Sequence, residues 1–114
     1  MDEELLKLKP YCKKNKILFK KLDLEYPFHS SLMDPVENEI RTKLAHLVPQ
    51  NAHGNFISTV TGTQLSGEHL NASYWWDNIR KPVQFHTAIE QAWEDGCRGF
   101  IEIGPKAILG GYVK

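Results

Sequence analysis

Nothing in this sequence is arranged to cradle a phosphate. Its eight glycines never fall into G-x-x-x-x-G-K or G-x-G-x-x-G, which removes the two commonest nucleotide-binding loops. No G-x-S-x-G occurs either, so the chain carries no strand-turn-helix serine elbow. The nearest candidate, Leu65-Ser66-Gly67, lacks the preceding buried strand. Cysteine is scarce. Cys12 and Cys97 lie far apart and outside any C-x-x-C pair, which fits free thiols in a reducing cytoplasm. Charge of one sign is missing as well: 14 basic residues face 14 acidic ones, unlike the strongly basic balance of a nucleic-acid binder. No apolar run approaches the length of a membrane helix, and no basic-then-apolar leader opens the chain. The expectation is one cytoplasmic domain at most, with neither nucleic acid nor membrane as partner. The histidines, His29, His46, His53, His69 and His86, show no zinc-helix pairing and no companion cysteine pair, so no metal site is expected.

What is present is an alternation of helical and extended patterns. Asp2–Lys14 reads as a helix with acids in its first turn and lysines in its last. Pro10 should interrupt it. Residues 1–21 hold seven lysines against Asp2, Glu3 and Glu4, a net +4. That is either a solvated surface or a patch for an acidic partner. Ile17, Leu18, Phe19, Leu22 and Leu24 suggest a strand, with Leu22, Leu24 and Tyr26 alternating with Asp23 and Glu25. Met33, Val36, Ile40, Leu44 and Leu47 recur at three- and four-residue steps, the face of a helix from about Pro35 to before Pro49. Phe56–Gly62 is rich in β-branched residues and reads as a strand. Tyr74-Trp75-Trp76 lies in a short helical or irregular segment ending at Lys81-Pro82, its tryptophans suited to packing. Val83–Glu94 is a further amphipathic helix, Gly99–Ile103 a short buried strand, and Ala107–Val113 the start of another helix. The order α, β, α, β, α, β, α predicts an α/β fold with parallel pairing.

Between the first strand and the next helix stands Tyr26-Pro27-Phe28-His29-Ser30-Ser31-Leu32-Met33. Asp34, Pro35 and Glu37 are the ingredients of a helix start with a capping box. His29 therefore sits on a short loop anchored on both sides. It is either a base or a loop histidine without a task. A base needs a nucleophile within hydrogen-bond reach. Cys97 follows Gly96 at a helix end, whereas a reactive thiol favours a helix start or a nearby cation, so the serine that His29 would serve is expected on sequence beyond this chain.

Four stretches carry a resemblance. Tyr26-Pro27-Phe28-His29-Ser30 with Met33-Asp34-Pro35, then Phe56-Ile57-Ser58-Thr59-Val60-Thr61-Gly62, then Tyr74–Phe85 (YWWDNIRKPVQF), then Phe100-Ile101-Glu102-Ile103-Gly104-Pro105 resemble, in order, the motifs of the acyltransferase (malonyl-CoA:acyl-carrier-protein transacylase) domains of polyketide and fatty acid synthases. The resemblance implies transfer of a malonyl-type group from coenzyme A to a serine and on to the phosphopantetheine of an acyl carrier protein, with no tightly bound cofactor. It implies His29 as the general base, with its ring oriented by the main-chain carbonyl at Asn78. It implies Tyr26 and Phe28 beside the acyl group: Phe28 matches the malonyl-associated HAFH form, Tyr26 the methylmalonyl-associated YASH form. It places the serine motif, the oxyanion hole and the carboxylate-pairing arginine upstream of Met1. Residues 1–114 are then a C-terminal part of the hydrolase-like acyltransferase fold, with 1–24 ending a small ferredoxin-like subdomain and 25–114 belonging to the large one. The partners implied are acyl-CoA, the carrier protein, and the remainder of the domain or a larger synthase. Alone, such a piece should transfer nothing. Two readings compete with this one: a non-catalytic carrier-protein binding module using Lys13, Lys14, Lys20 and their neighbours, and a small acyl hydrolase using Cys97.

Overall fold

The computed structural model describes residues 2–20 and 26–113. Four α-helices carry it: α1 (Asp2–Lys14), α2 (Glu37–Leu44), α3 (Ala72–Arg80) and α4 (Phe85–Glu94). Short 3-10 turns lie at Ser31–Val36, Gly67–His69 and Gly110–Tyr112. α1 runs through Pro10 without a break, although the proline ring removes the hydrogen bond to the carbonyl of Leu6. Leu5, Leu6 and Leu8 remain exposed along it.

α4 forms where the sequence predicts a helix, and the 74–80 stretch, open between helical and irregular in the sequence, is part of α3. Asn71 caps α3, its side-chain oxygen accepting from the backbone N–H groups of Ser73 and Tyr74 at 2.9 and 3.1 Å. Arg80 is the last helical residue because Pro82 cannot donate the next helical hydrogen bond. α4 ends before Gly96, which takes φ +97. The start of α2 differs from the expected capping box. Val36 is its N-cap and offers no side-chain bond. Ser30 instead caps the preceding 3-10 turn, accepting from the Leu32 N–H at 3.3 Å. Asp34 is drawn away to Arg80 and Glu37 to Arg41, because a charged partner outbids a free N–H for a carboxylate. Arg41 also donates to the Ser73 hydroxyl at 2.6 Å. It thereby joins α2 to α3, which pack against each other and against the 31–36 turn.

The strands expected at 56–62 and 99–103 are not formed. Among the described residues the β pairing is a single antiparallel bridge between Ile57 and Gln64, and no parallel pair is present. Of the strand expected over Ile17–Leu24, residues 17–20 are irregular, and Leu22 and Leu24 lie outside the described residues. Ala107–Val113 is a loop with one 3-10 turn rather than a helix. A helix satisfies its own backbone, whereas a strand needs a neighbour about 4.8 Å away to receive its hydrogen bonds. Ile101 and Ile103, 90 % and 95 % exposed, have the composition of a buried strand and nothing against them.

The buried core is small: Ser58, Tyr74, Trp76, Ala88 and Ala92. Trp76 packs inward as expected of a wedge, while Trp75 faces outward. The accessible surface is 9648 Å², against about 6,400 Å² for a compact monomer of this mass. The radius of gyration is 17.3 Å, against about 13 Å for a compact domain of this length. Much of the apolar surface is thus uncovered.

Candidate active site

His29 lies against the C-terminal end of α3. The last carbonyls of any helix have no intrahelical donor. In α3 the shortage is sharpened by Pro82, which has no N–H to offer the carbonyl of Asn78. The 26–30 loop fills part of this gap. Its His29 backbone N–H donates to the carbonyl of Ile79 at 2.8 Å, and the ring Nδ1 lies 2.7 Å from the carbonyl oxygen of Lys81. Both bonds join residues about 50 positions apart in sequence.

The second bond fixes the tautomer. A carbonyl can only accept, so Nδ1 carries the proton and donates it. In the neutral ring the lone pair then lies on Nε2, the atom that a general base would use. When Nε2 takes a proton, the resulting imidazolium faces the negative end of the α3 dipole.

The carbonyl that the ring meets belongs to Lys81, three residues beyond Asn78. Helical geometry explains the difference. Asn78 lies inside α3, where carbonyls point along the axis. Lys81 is the C-cap with extended backbone (φ −81, ψ 156), which turns its carbonyl out of the helix. Lys81 is steadied by its own side chain, whose Nζ lies 2.8 Å from Asp77 Oδ2.

The loop holds His29 at φ +61. For a residue with a Cβ this left-handed conformation costs about 1–2 kcal/mol, and histidine is among the residues found there more often than most. The Ser30 hydroxyl donates to the Pro27 carbonyl at 2.7 Å and tightens the turn. Asp34, five residues on, pairs with Arg80 Nε. Tyr26 and Phe28 stack on each other with ring centroids 5.5 Å apart and 18° between planes. They are 65 % and 50 % exposed, and Phe28 meets the His29 ring edge-on at 6.4 Å. Lys81, Ile79 and the Asp34–Arg80 pair do not stand out in the sequence as site residues. The one available signal is Pro82, which leaves a helix end with carbonyls to be satisfied from elsewhere.

The Phe56–Gly62 stretch forms a tight turn beside this helix. The buried Ser58 hydroxyl lies 2.9 Å from Tyr74 Oη and accepts from the Val60 and Thr61 N–H groups at 3.0 and 3.4 Å. The Thr59 carbonyl accepts from the Gln84 N–H at 2.6 Å, which fixes the chain just after Pro82. A separate open groove of 550 Å³ runs between α4 and the 98–113 segment, lined by Trp93, Phe100 and Tyr112 among others. It includes no residue of 26–33. Its Arg98 is already engaged, stacked over Trp93 at 4.2 Å and donating to the carbonyls of Trp93 and Cys97. Cys97 is exposed past the end of α4. Among the described residues no helix is long and apolar enough to cross a membrane.

The family model described as "Acyl transferase domain" matches residues 2–114. Mycoketide-CoA synthase of Mycobacterium tuberculosis is 32 % identical over 107 residues, covering 94 % of this chain and 2 % of that protein. Erythronolide synthase EryA2 of Saccharopolyspora erythraea is 31 % identical over 98 residues, covering 86 % of this chain and 3 % of its own length. In structure, the chain is similar to a loading acyltransferase from the avermectin modular polyketide synthase, with a TM-score of 0.89 and 26 % identity over 97 % of this chain. It is also similar to malonyl CoA-acyl carrier protein transacylase from Clostridium perfringens, with a TM-score of 0.80 and 29 % identity over 96 % of this chain. It spans 35 % and 34 % of those two solved chains, and only a few per cent of the synthases. With its whole described length matched, the chain belongs to the acyl transferase domain family.

Proposed function

We propose that this chain supplies the general base of a malonyl-type acyl transfer, with His29 in that role. The observation that carries the reading is the Nδ1–H bond from His29 to the Lys81 carbonyl, which in the neutral ring puts the lone pair on Nε2. In the first half-reaction Nε2 takes the proton of a serine hydroxyl. The serine oxygen attacks the thioester carbon of acyl-CoA, the C–S bond breaks, and the proton passes from Nε2 to the departing thiolate. In the second, Nε2 deprotonates the phosphopantetheine thiol of an acyl carrier protein. Sulfur attacks the acyl-serine ester, and the serine oxygen leaves with the proton. A backbone carbonyl orienting the ring replaces the carboxylate of a triad. It is neutral, so it fixes the tautomer while stabilising the imidazolium less than a full charge would.

The serine comes from sequence outside these 114 residues, which contain no serine elbow. The uncovered apolar surface, Ile101 and Ile103 above all, supports a partner that contributes strands: the serine-bearing remainder of an acyltransferase domain, within a larger synthase. In this reading residues 1–24 end the small subdomain, 25–114 belong to the large one, and the site works in the cytoplasm. Tyr26 and Phe28 border the acyl group.

The test is intact-mass spectrometry after incubation with malonyl-CoA. The chain alone is expected to gain no mass. Combined with a serine-bearing acyltransferase segment it should yield an acyl-serine adduct, and His29→Ala should slow that loading at least 100-fold, the lower end of what a general base contributes. An adduct on the isolated chain, or loading indifferent to His29→Ala, would end this account.

A further inference from the structure

The geometry points to Asp34 and Arg80 as positioning residues that hold the His29 ring on the Lys81 carbonyl. This rests on His29 being the base, but its test does not. His29 is kept at φ +61, a conformation that persists only when its surroundings over-determine it. Its own two bonds to the end of α3 are single hydrogen bonds from an exposed loop. The charged tie is five residues further along, where Asp34 Oδ1 meets Arg80 Nε. Arg80 is the residue between Ile79 and Lys81, the two whose carbonyls receive the His29 backbone and ring N–H groups. The pair therefore grips the same turn of helix that the histidine reads. Between Pro27 and Asp34 the chain is tightened by the Ser30 bonds to the Pro27 carbonyl and the Leu32 N–H and by the Met33 N–H bond to the Ser30 carbonyl at 3.1 Å. Displacement at Asp34 is thus transmitted to His29 rather than absorbed. Asp34 accordingly acts on the orientation of the base, and Ser30 caps the 3-10 turn that precedes α2.

The experiment is nitrogen-15 NMR of the His29 ring and hydrogen exchange of the His29 amide in the 114-residue chain, with Asp34→Asn, Arg80→Gln and the charge swap Asp34→Arg/Arg80→Asp. Each single variant should shift the ring from the Nδ1–H form toward the Nε2–H form that a solvated imidazole favours. Each should also raise His29 amide exchange about five-fold, the scale of one exposed ion pair. The methyl resonances of Ala88 and Ala92 should stay in place, and the swap should return the ring toward the Nδ1–H form. An unchanged tautomer in the single variants overturns the assignment. So does a loss of the Ala88 and Ala92 resonances that the swap does not reverse, since the pair would then support the fold at large rather than the ring. Failure of the base role itself would show separately, as acyl loading insensitive to His29→Ala.

Discussion

The hydroxyls of Ser58 and Tyr74 meet at 2.9 Å inside the core, and Ser58 is the one residue there with no exposed surface at all. Its oxygen serves three partners: it is paired with Tyr74 Oη and accepts from two backbone N–H groups of its own turn. Removing it is therefore worse than removing the tyrosine hydroxyl. Tyr74→Phe takes away one bond and should cost about 1 kcal/mol, whereas Ser58→Ala leaves the buried Tyr74 hydroxyl and two part-buried turn amides without their partner and should cost about 2–3 kcal/mol. Urea denaturation followed by tryptophan fluorescence compares the two. Equal losses would mean that the turn amides find water in the absence of the serine.

Gly62 closes the same turn at φ +76, and a Cβ placed there would lie 2.8 Å from Thr87 Cγ2 and 3.0 Å from Thr87 Cβ. Gly62→Ala then carries two penalties, backbone strain of about 1 kcal/mol and the clash with α4. Thr87→Ser removes the Cγ2 methyl, so adding it should recover part of the stability lost by Gly62→Ala and leave the backbone part. Full recovery would show that the left-handed conformation costs nothing here.

Pro82 leaves the carbonyl of Asn78 without a helical donor. Pro82→Ala restores an N–H four residues on and should lengthen α3 by a residue or more, drawing the Lys81 carbonyl into the helix. The His29 ring should then lose its Nδ1–H form. Circular dichroism and nitrogen-15 NMR read the two effects. A longer helix with an unchanged ring would detach the tautomer from Lys81.

Glu102 anchors the 105–112 loop. Its carboxylate accepts from the backbone N–H groups of Ile108 at 2.8 Å, Leu109 at 3.0 Å and Gly110 at 3.2 Å. These bonds, that from Ile108 first, lower its pKa below the ordinary glutamate value of 4.5. A carboxyl group with a depressed folded pKa stabilises fully above the unfolded value, and the effect is lost as pH falls through the folded value. Exchange of the three amides, corrected for its intrinsic pH dependence, should stay protected above pH 4.5 and become faster in more acidic solution. Glu102→Gln should mimic the acid state at neutral pH. Protection that persists in acid would assign the loop's order to other contacts.

The chain determined α3 and α4 largely by itself, although the helix expected over Ala107–Val113 did not form. Asn71 as a cap, Pro82 and Gly96 as stops, and the periodic faces of α3 and α4 are local signals, and helices close their hydrogen bonds locally. The sequence also singled out His29, because a histidine between an extended segment and a helix start is visible in the order of residues. What covers the backbone of a strand, and which distant group a side chain meets, are not local. The β-branched runs at 56–62 and 99–103 have strand composition, but pairing needs a neighbour that composition does not supply. Asp34 was equally suited to a cap or an ion pair, and only the arrival of Arg80, 46 positions later, decided between them. Which carbonyl the His29 ring meets, here that of Lys81, was undecided in the sequence for the same reason. It depends on where a helix ends in space and which way its last peptide turns, and tertiary packing sets both.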